Sequence, residues 1–170
     1  MIELTKREKD VLIELLKNGR KSDQEIARKI KTSRPSVARI RKKLEKRGII
    51  QGYSTYTRFE ELGLTVNAVI LYRWVDYSKK KELSKTIEFV KNLPEVVMFI
   101  KGEGMGSKTD VIISVHEDLK AYENFIIKLK EQWGRNVEDV EVFISSISGI
   151  YKRYDMSEPV IDRLKKEKRD

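Results

Sequence analysis

Residues 31–48, KTSRPSVARIRKKLEKRG, carry eight Lys or Arg side chains against a single acidic one. Ser33 followed closely by Pro35 is typical of a helix start, because Ser can cap the first free amides and Pro lacks the N–H that the first turn leaves unpaired. Apolar residues recur at helical spacing on one side of this stretch, at Val37, Ile40 and Leu44. The stretch therefore predicts a helix with an apolar inner side and a strongly basic outer side.

Two shorter helices are predicted before this basic helix. Thr5 with Glu8, and Ser22 with Glu25, have the spacing of capping boxes. A turn of about three residues, KTS, separates the second helix from the third, and the alternating sequence IIQGYSTYT follows Gly48 as a short β-ribbon. Two helices joined by a tight turn and followed by a ribbon predict a winged helix-turn-helix over residues 1–52.

The formal net charge of +9 lies entirely in this first segment. Residues 1–52 contain 16 basic and 7 acidic side chains, whereas residues 53–170 contain 20 of each. An exposed basic helix is often only a solvated surface, but charge concentrated on one helix with few acidic partners favours a polyanionic ligand. If the ligand is double-stranded DNA, the residues expected to face base edges are Arg34, Ser36, Ala38 and Arg39. Arg41 is also expected to contact DNA, and the phosphate contacts are expected from Lys42, Lys43 and Lys46.

Residues 64–151 alternate strand-like and helix-like segments in the order βαββαβ, which predicts a ferredoxin-like antiparallel sheet with both helices on one face. Both faces of the predicted strands are apolar. In the first strand Val66, Ala68 and Ile70 point one way, and Val69 and Leu71 point the other way. In the second strand alternation puts Val96, Met98 and Ile100 on one face and Val97 and Phe99 on the other. Two helices can cover only one face, so the second face predicts a homodimer formed through this module.

A glycine-rich stretch, KGEGMGSKTD, lies between the two middle strands of this module. Glycines at this spacing can form a backbone cradle for a small ligand, and they are equally typical of a flexible hairpin connection. The spacing alone leaves both interpretations open.

The run from Ser33 to Tyr53, joined to the βαββαβ module, resembles the Lrp/AsnC (feast/famine) family of transcription regulators from about Leu4 to Tyr151. The resemblance implies an α+β protein with a winged helix-turn-helix (1–52), a linker strand or hinge (53–63) and a ferredoxin-like effector-sensing and dimerisation domain (64–151). The remaining residues, 152–170, are a charged C-terminal tail outside the resemblance. It also implies dimers that assemble into tetramers or octamers, and an amino-acid effector bound near Gly102, Gly104, Gly106 and Asp110. The chain departs from the family in a longer glycine loop, and in Ile40-Arg41, where the family commonly has Arg followed by an apolar residue.

Composition excludes several classes of site and leaves two alternative functions. The chain lacks Cys, so disulfides and Cys-ligated zinc are excluded, and neither a metal nor a cofactor is expected. No apolar run could cross a bilayer, so a cytoplasmic protein is expected, and the Lys/Glu richness is typical of thermophiles. The alternatives are a non-specific architectural DNA-binding protein and a tetrapyrrole decarboxylase of similar architecture. His116, the sole histidine, is expected to be an exposed residue at a strand end, which argues against an enzyme, and the sheet lacks an RNA-stacking motif.

Overall fold

The computed structural model describes residues 3–104 and 106–167, which divide into two compact units. The first unit contains the residues up to Tyr56 and those from Arg153 onward, and the second contains Thr57–Lys152. In chain order the main elements are α1 (Lys6–Lys17), α2 (Asp23–Lys29), α3 (Arg34–Lys46), β1 (Val66–Trp74), α4 (Lys80–Lys91), β2 (Val96–Gly104), β3 (Lys108–His116), α5 (Leu119–Trp133), β4 (Val137–Ser146) and α6 (Ser157–Lys166). None of the helices in the described residues is both long and apolar enough to span a membrane.

Both predicted capping boxes start helices of the first unit. The backbone N–H of Thr5 donates to the Glu8 carboxylate at 2.8 Å, and the Ser22 N–H donates to Glu25 at 2.7 Å. Ser33 caps α3 through its hydroxyl, which accepts from the Ser36 N–H. The first three helices therefore begin where the side-chain chemistry predicts, and the apolar sides of α1, α2 and α3 meet in one core.

The β-ribbon predicted after Gly48 is not paired within residues 3–104 and 106–167. Residues 49–57 belong to no ladder of the described structure. A strand needs a neighbour for its N–H and C=O groups, and the single sheet is built from four later segments. The first unit is thus a helix-turn-helix followed by a non-helical segment without a paired wing.

The C-terminal tail forms a helix of the first unit. This helix, α6, begins at Ser157, whose N–H donates to the Asp155 carboxylate at 2.8 Å. Pro159 fits inside the first turn because the amide it lacks has no helical partner there.

The second unit confirms the ferredoxin-like α+β module. Its sheet has the order β2-β3-β1-β4 with antiparallel pairs, and α4 and α5 pack on one face. That covered face carries the buried core, which includes Ala68, Ile70, Tyr72, Val90, Ile112, Phe125, Leu129 and Trp133. The Tyr72 and Trp133 rings lie 4.6 Å apart between their centroids, and this contact joins β1 to α5.

Two expectations for this unit were wrong. Simple alternation put Val96 on the same face as Met98, but the register shifts between them, so that Val96 and Phe99 pack against the covered core. A β-bulge of this kind cannot be read from alternation alone. His116 is buried rather than exposed, because α5 covers the end of β3 and places the Phe125 ring 4.8 Å from the imidazole. Burial lowers the pKa of His116, which keeps the ring neutral.

Among the described residues of the second unit, no helix packs over the other face of the sheet. Val69 lies at its centre, opposite Ile113 on β3 and Phe143 on β4. Phe143 is 65% exposed, and Val97 and Ile100 on β2 are also exposed. We call this set of residues, together with Leu71 and Val111, the open sheet face.

Candidate nucleic-acid interface

A tight turn sets the direction of α3. Lys31 adopts a left-handed conformation, with φ of 52°, and the Thr32 N–H donates to the Ala27 carbonyl at 2.9 Å. The Ser33 and Ser36 hydroxyls are 2.8 Å apart, which adds a second contact to the cap of α3. The turn closes α2 against the start of α3, as a helix-turn-helix requires.

A buried carboxylate joins α1 to α3. Glu8 is 3% exposed, and its Oε1 lies 2.7 Å from Nζ of Lys43 and 3.7 Å from Nη1 of Arg47. The hydrogen bond from Lys43, with the bonds from Thr5, lowers the pKa of Glu8 to about 2. Glu8 therefore has two roles, because it caps α1 and also holds the side of α3.

A second buried carboxylate, Glu14, is surrounded by three lysines at 2.6–3.4 Å: Lys17, Lys21 and Lys29. Burial alone would raise the pKa of Glu14, but the hydrogen bonds from Lys21 and Lys29 outweigh it and hold the pKa at about 2. This cluster connects α1 to α2 and to the loop before it. Glu14 thereby offsets one unit of the positive charge in residues 1–52, and it shares that contact among three of the 16 basic side chains.

Arg41 lies at the inner edge of α3 and makes contacts within the protein. Its Nε donates to Asp23 at 2.8 Å, its Nη2 donates to the Lys21 carbonyl at 2.9 Å, and its Nη1 donates to the Tyr53 hydroxyl at 3.3 Å. That hydroxyl donates in turn to Glu45 at 2.9 Å. Arg41 thus connects α3 to α2 and to the segment that leaves the unit.

Four basic side chains of α3 are exposed without such contacts. No carboxylate within the described residues lies within ion-pair distance of Arg34, Arg39, Lys42 or Lys46. Positions 39, 42 and 46 lie opposite the buried Val37 and Leu44, as a period of 3.6 residues dictates. We call these four residues the outer face of α3. Ala38 is exposed and Ser36 half-buried at the edge of this face, whereas Lys43 is turned towards Glu8.

The sequence contained a signal for Arg41 that a count of charges misses. Arg41 lies four residues after Val37 and three before Leu44, on the buried side of the helix. Asp23 and Tyr53, its partners, lie 18 and 12 residues away in sequence, so spacing alone could not pair them. Glu8 and Glu14 likewise look like ordinary surface charges until α3 and α2 are in place.

The glycine-rich stretch forms a β-hairpin. Gly102 and Gly104 are exposed on β2, and Gly106 lies in the turn with φ of 67°. Asp110 is 2% exposed on β3, where its carboxylate lies 3.4 Å from Nζ of Lys101 and accepts from the Thr109 hydroxyl. The structure therefore separates the four candidate effector residues into an exposed glycine hairpin and a buried carboxylate.

Comparison with known sequences identifies regulators with the same organisation. A family of winged helix-turn-helix DNA-binding domains matches residues 4–51. An uncharacterised HTH-type transcriptional regulator of Pyrococcus furiosus is 30% identical over 127 residues, which cover 75% of this chain and 80% of that protein. The HTH-type transcriptional regulator LrpC of Bacillus subtilis is 31% identical over 121 residues, with coverage of 70% and 78%.

Solved structures share the fold across both units. An AsnC family transcriptional regulator from Agrobacterium tumefaciens matches with a TM-score of 0.77 at 20% identity, covering 89% of this chain and 94% of its own. A transcriptional regulator from Neisseria meningitidis, solved as a complex with L-Met, matches with a TM-score of 0.74 at 20% identity, covering 91% and 96%. These proteins are transcription regulators, and they do not favour the decarboxylase alternative.

Proposed function

Because this chain belongs to the Lrp/AsnC family of HTH-type transcription regulators, we propose that the outer face of α3 reads duplex DNA. Arg34 and Arg39, with Ser36, contact base edges in the major groove, and Lys42 and Lys46 contact phosphates. The observation that carries this assignment is the division of the basic residues. Those of the outer face have no carboxylate partner among the described residues, whereas Arg41 and Lys43 are held by Asp23 and Glu8.

This division separates DNA-contacting residues from supporting ones. Arg41 and Lys43, which their charge alone would assign to DNA, instead hold α3 against the rest of the unit. Guanidinium groups form bidentate hydrogen bonds with guanine, so Arg34 and Arg39 are suited to discriminate bases, and the lysines act as point charges.

Substitution of Arg39 and Lys46 tests the assignment. Arg39→Ala should relax discrimination at one base position by about 1–3 kcal/mol, whereas Lys46→Ala should weaken binding to every duplex alike and lower the salt slope by about one. Affinities are measured for a panel of duplexes at several salt concentrations, with Lys120→Ala on the second unit as the control. If the two substitutions lowered affinity equally for all sequences, Arg39 would not read bases.

We also assign to the open sheet face the contact between two copies of the chain. An apolar face of a four-stranded sheet is seldom left to solvent, and a second copy of the same face covers it symmetrically. Val142 and Ile144 are exposed on the other face of β4. We propose that these apolar residues make contacts between dimers, which gives tetramers or octamers. We place this DNA-binding activity in the cytoplasm.

An amino-acid effector is the ligand proposed for the glycine hairpin and Asp110. The relative from Neisseria meningitidis was solved with L-Met, and here Lys101 and Asp110 supply opposite charges that suit a zwitterion. Each of the common amino acids is tested for an increase in the melting temperature of the full chain. An effector that acts at this position should stabilise the wild type and not Asp110→Asn, and equal stabilisation of both would remove Asp110 from the site.

A further inference from the structure

The second unit is inserted into the first. The chain leaves the first unit after Tyr56, builds the whole sheet module, and returns at Arg153 to add α6. The helix-turn-helix match ends at residue 51, so α6 lies outside the recognised DNA-binding domain although it belongs to the same compact unit.

The inner side of α6 packs into the core that fixes α3. Ile161 is 2% exposed and Leu164 is 7% exposed, and both lie in one cluster with Leu12 and Ile13 of α1 and Leu44 of α3. Leu44 is fully buried there. α1 is therefore packed on two sides, with Val11 and Leu15 towards α2 and α3 and with Leu12 and Ile13 in the cluster that α6 completes.

A polar contact sets the position of α6 at its C-terminal end. Nζ of Lys9 lies 2.9 Å from the Glu167 carboxylate, and Lys9 is largely buried. Glu167 directly follows the last turn of α6, and its pKa is lowered, chiefly by the hydrogen bond from Lys9. The apolar contacts and this ion pair together define one docked position of α6 on α1.

We propose that α6 is a positioning element for DNA recognition, acting on α3 through Leu44. Docked α6 holds α1 and α3 in the arrangement that presents the outer face, and removal of α6 leaves Leu12, Ile13 and Leu44 without their cover. Because α6 can be reached only through the sheet module, the module is covalently anchored to the DNA-binding unit at both of its ends. A conformational change within the module then acts on α3 through two chain connections, one after Tyr56 and one at Arg153.

This inference rests on DNA binding by α3, and it has a consequence that a merely structural helix would not have. If docking of α6 favours the conformation that binds DNA, bound DNA must favour docked α6 by the same factor. The accessibility of the inner side of α6 should therefore depend on DNA.

The absence of natural cysteine allows this coupling to be measured in the full chain. A single cysteine is introduced as Ile161→Cys, at a buried position of α6, or as Lys165→Cys, at an exposed position of the same helix. The rate of reaction with a thiol reagent is followed with and without a random-sequence duplex at low salt. Ile161→Cys should react at least about tenfold more slowly than Lys165→Cys, since it requires local opening, and DNA should slow it further by about threefold or more. Equal rates for Ile161→Cys with and without bound DNA would overturn the proposal.

A second pair of variants tests the effect on affinity. Leu164→Ser should lower DNA affinity at least about tenfold while sedimentation shows the same oligomeric state as the wild type, and Lys165→Ser should change affinity by less than about threefold. Unchanged affinity in Leu164→Ser would contradict the positioning role. Failure of the wild type to bind any duplex would instead contradict DNA binding itself, so the two failures are distinguishable.

Discussion

At the scale of single residues, the first unit depends on buried carboxylates that are paired inside the protein. Glu8 is buried beside Lys43 and Glu14 is buried among three lysines, and hydrogen bonds hold each carboxylate ionised, from Lys43 and Thr5 in one case and from Lys21 and Lys29 in the other. Removing one partner of a buried pair is costly because it leaves the other unpaired. These two carboxylates let the unit carry a large basic excess while its helices stay together.

Acid should weaken the first unit in a defined pH range. The pKa of each carboxylate is about 2 in the folded chain against an ordinary 4.5, so their stabilisation is complete above about pH 4.5 and is lost as the pH falls towards 2. Glu14→Gln should destabilise the unit by about 1–3 kcal/mol at neutral pH, and the difference from the wild type should shrink in acid. Thermal unfolding across this range tests the effect, with exposed Glu123→Gln as the control. A difference that is independent of pH would contradict this role for Glu14.

At the scale of elements, the basic residues of α3 form two groups, one without a carboxylate partner among the described residues and one held within the unit by Asp23 and Glu8. Sequence spacing predicted the helix, its Ser33 cap and its outer face, because these depend on neighbours within a few residues. It could not predict that Arg41 contacts Asp23 and Tyr53, since that requires α2 and the departing chain to be in place. The segment after Gly48 has strand character in its sequence, but it has no partner strand in the described part of the chain, so the predicted wing is not paired there.

Neighbouring residues on α3 should respond differently to substitution. Arg41→Lys loses the planar set of donors that reaches Asp23, Lys21 and Tyr53, and should destabilise the first unit by about 1–3 kcal/mol. Lys42→Ala should leave stability within about 0.5 kcal/mol and lower the salt slope of DNA binding by about one. Chemical unfolding and salt titrations separate the two effects. If Arg41→Lys left stability unchanged and altered only the salt slope, Arg41 would be a phosphate contact after all.

At the scale of the whole molecule, the order of helices and strands along the chain predicted the architecture of the sheet module. The βαββαβ pattern and the apolar character of both sheet faces could be read from alternation, and the sheet order confirms the first of these. The bulge in β2 and the return of α6 to the first unit could not be predicted from the sequence, because both depend on contacts between distant segments.

The open sheet face should control assembly. Phe143→Asp would bury an unpaired charge between two copies, so we expect the dimer to dissociate at least about tenfold more readily. Ile127→Asp, at an exposed position on α5, should leave the dimer intact. Sedimentation equilibrium measures both variants. A Phe143→Asp chain that dimerises like the wild type would exclude this face as the contact.

Selection of preferred duplexes from a random pool, at physiological salt, tests the central claim most directly. A symmetric dimer that reads bases through the outer face of α3 should enrich a palindromic site, with two half-sites about one helical turn or a multiple of it apart, and Arg39→Ala should relax the preference within each half-site. A pool that remains random after selection, although the protein binds it, would contradict base reading and favour the non-specific architectural function.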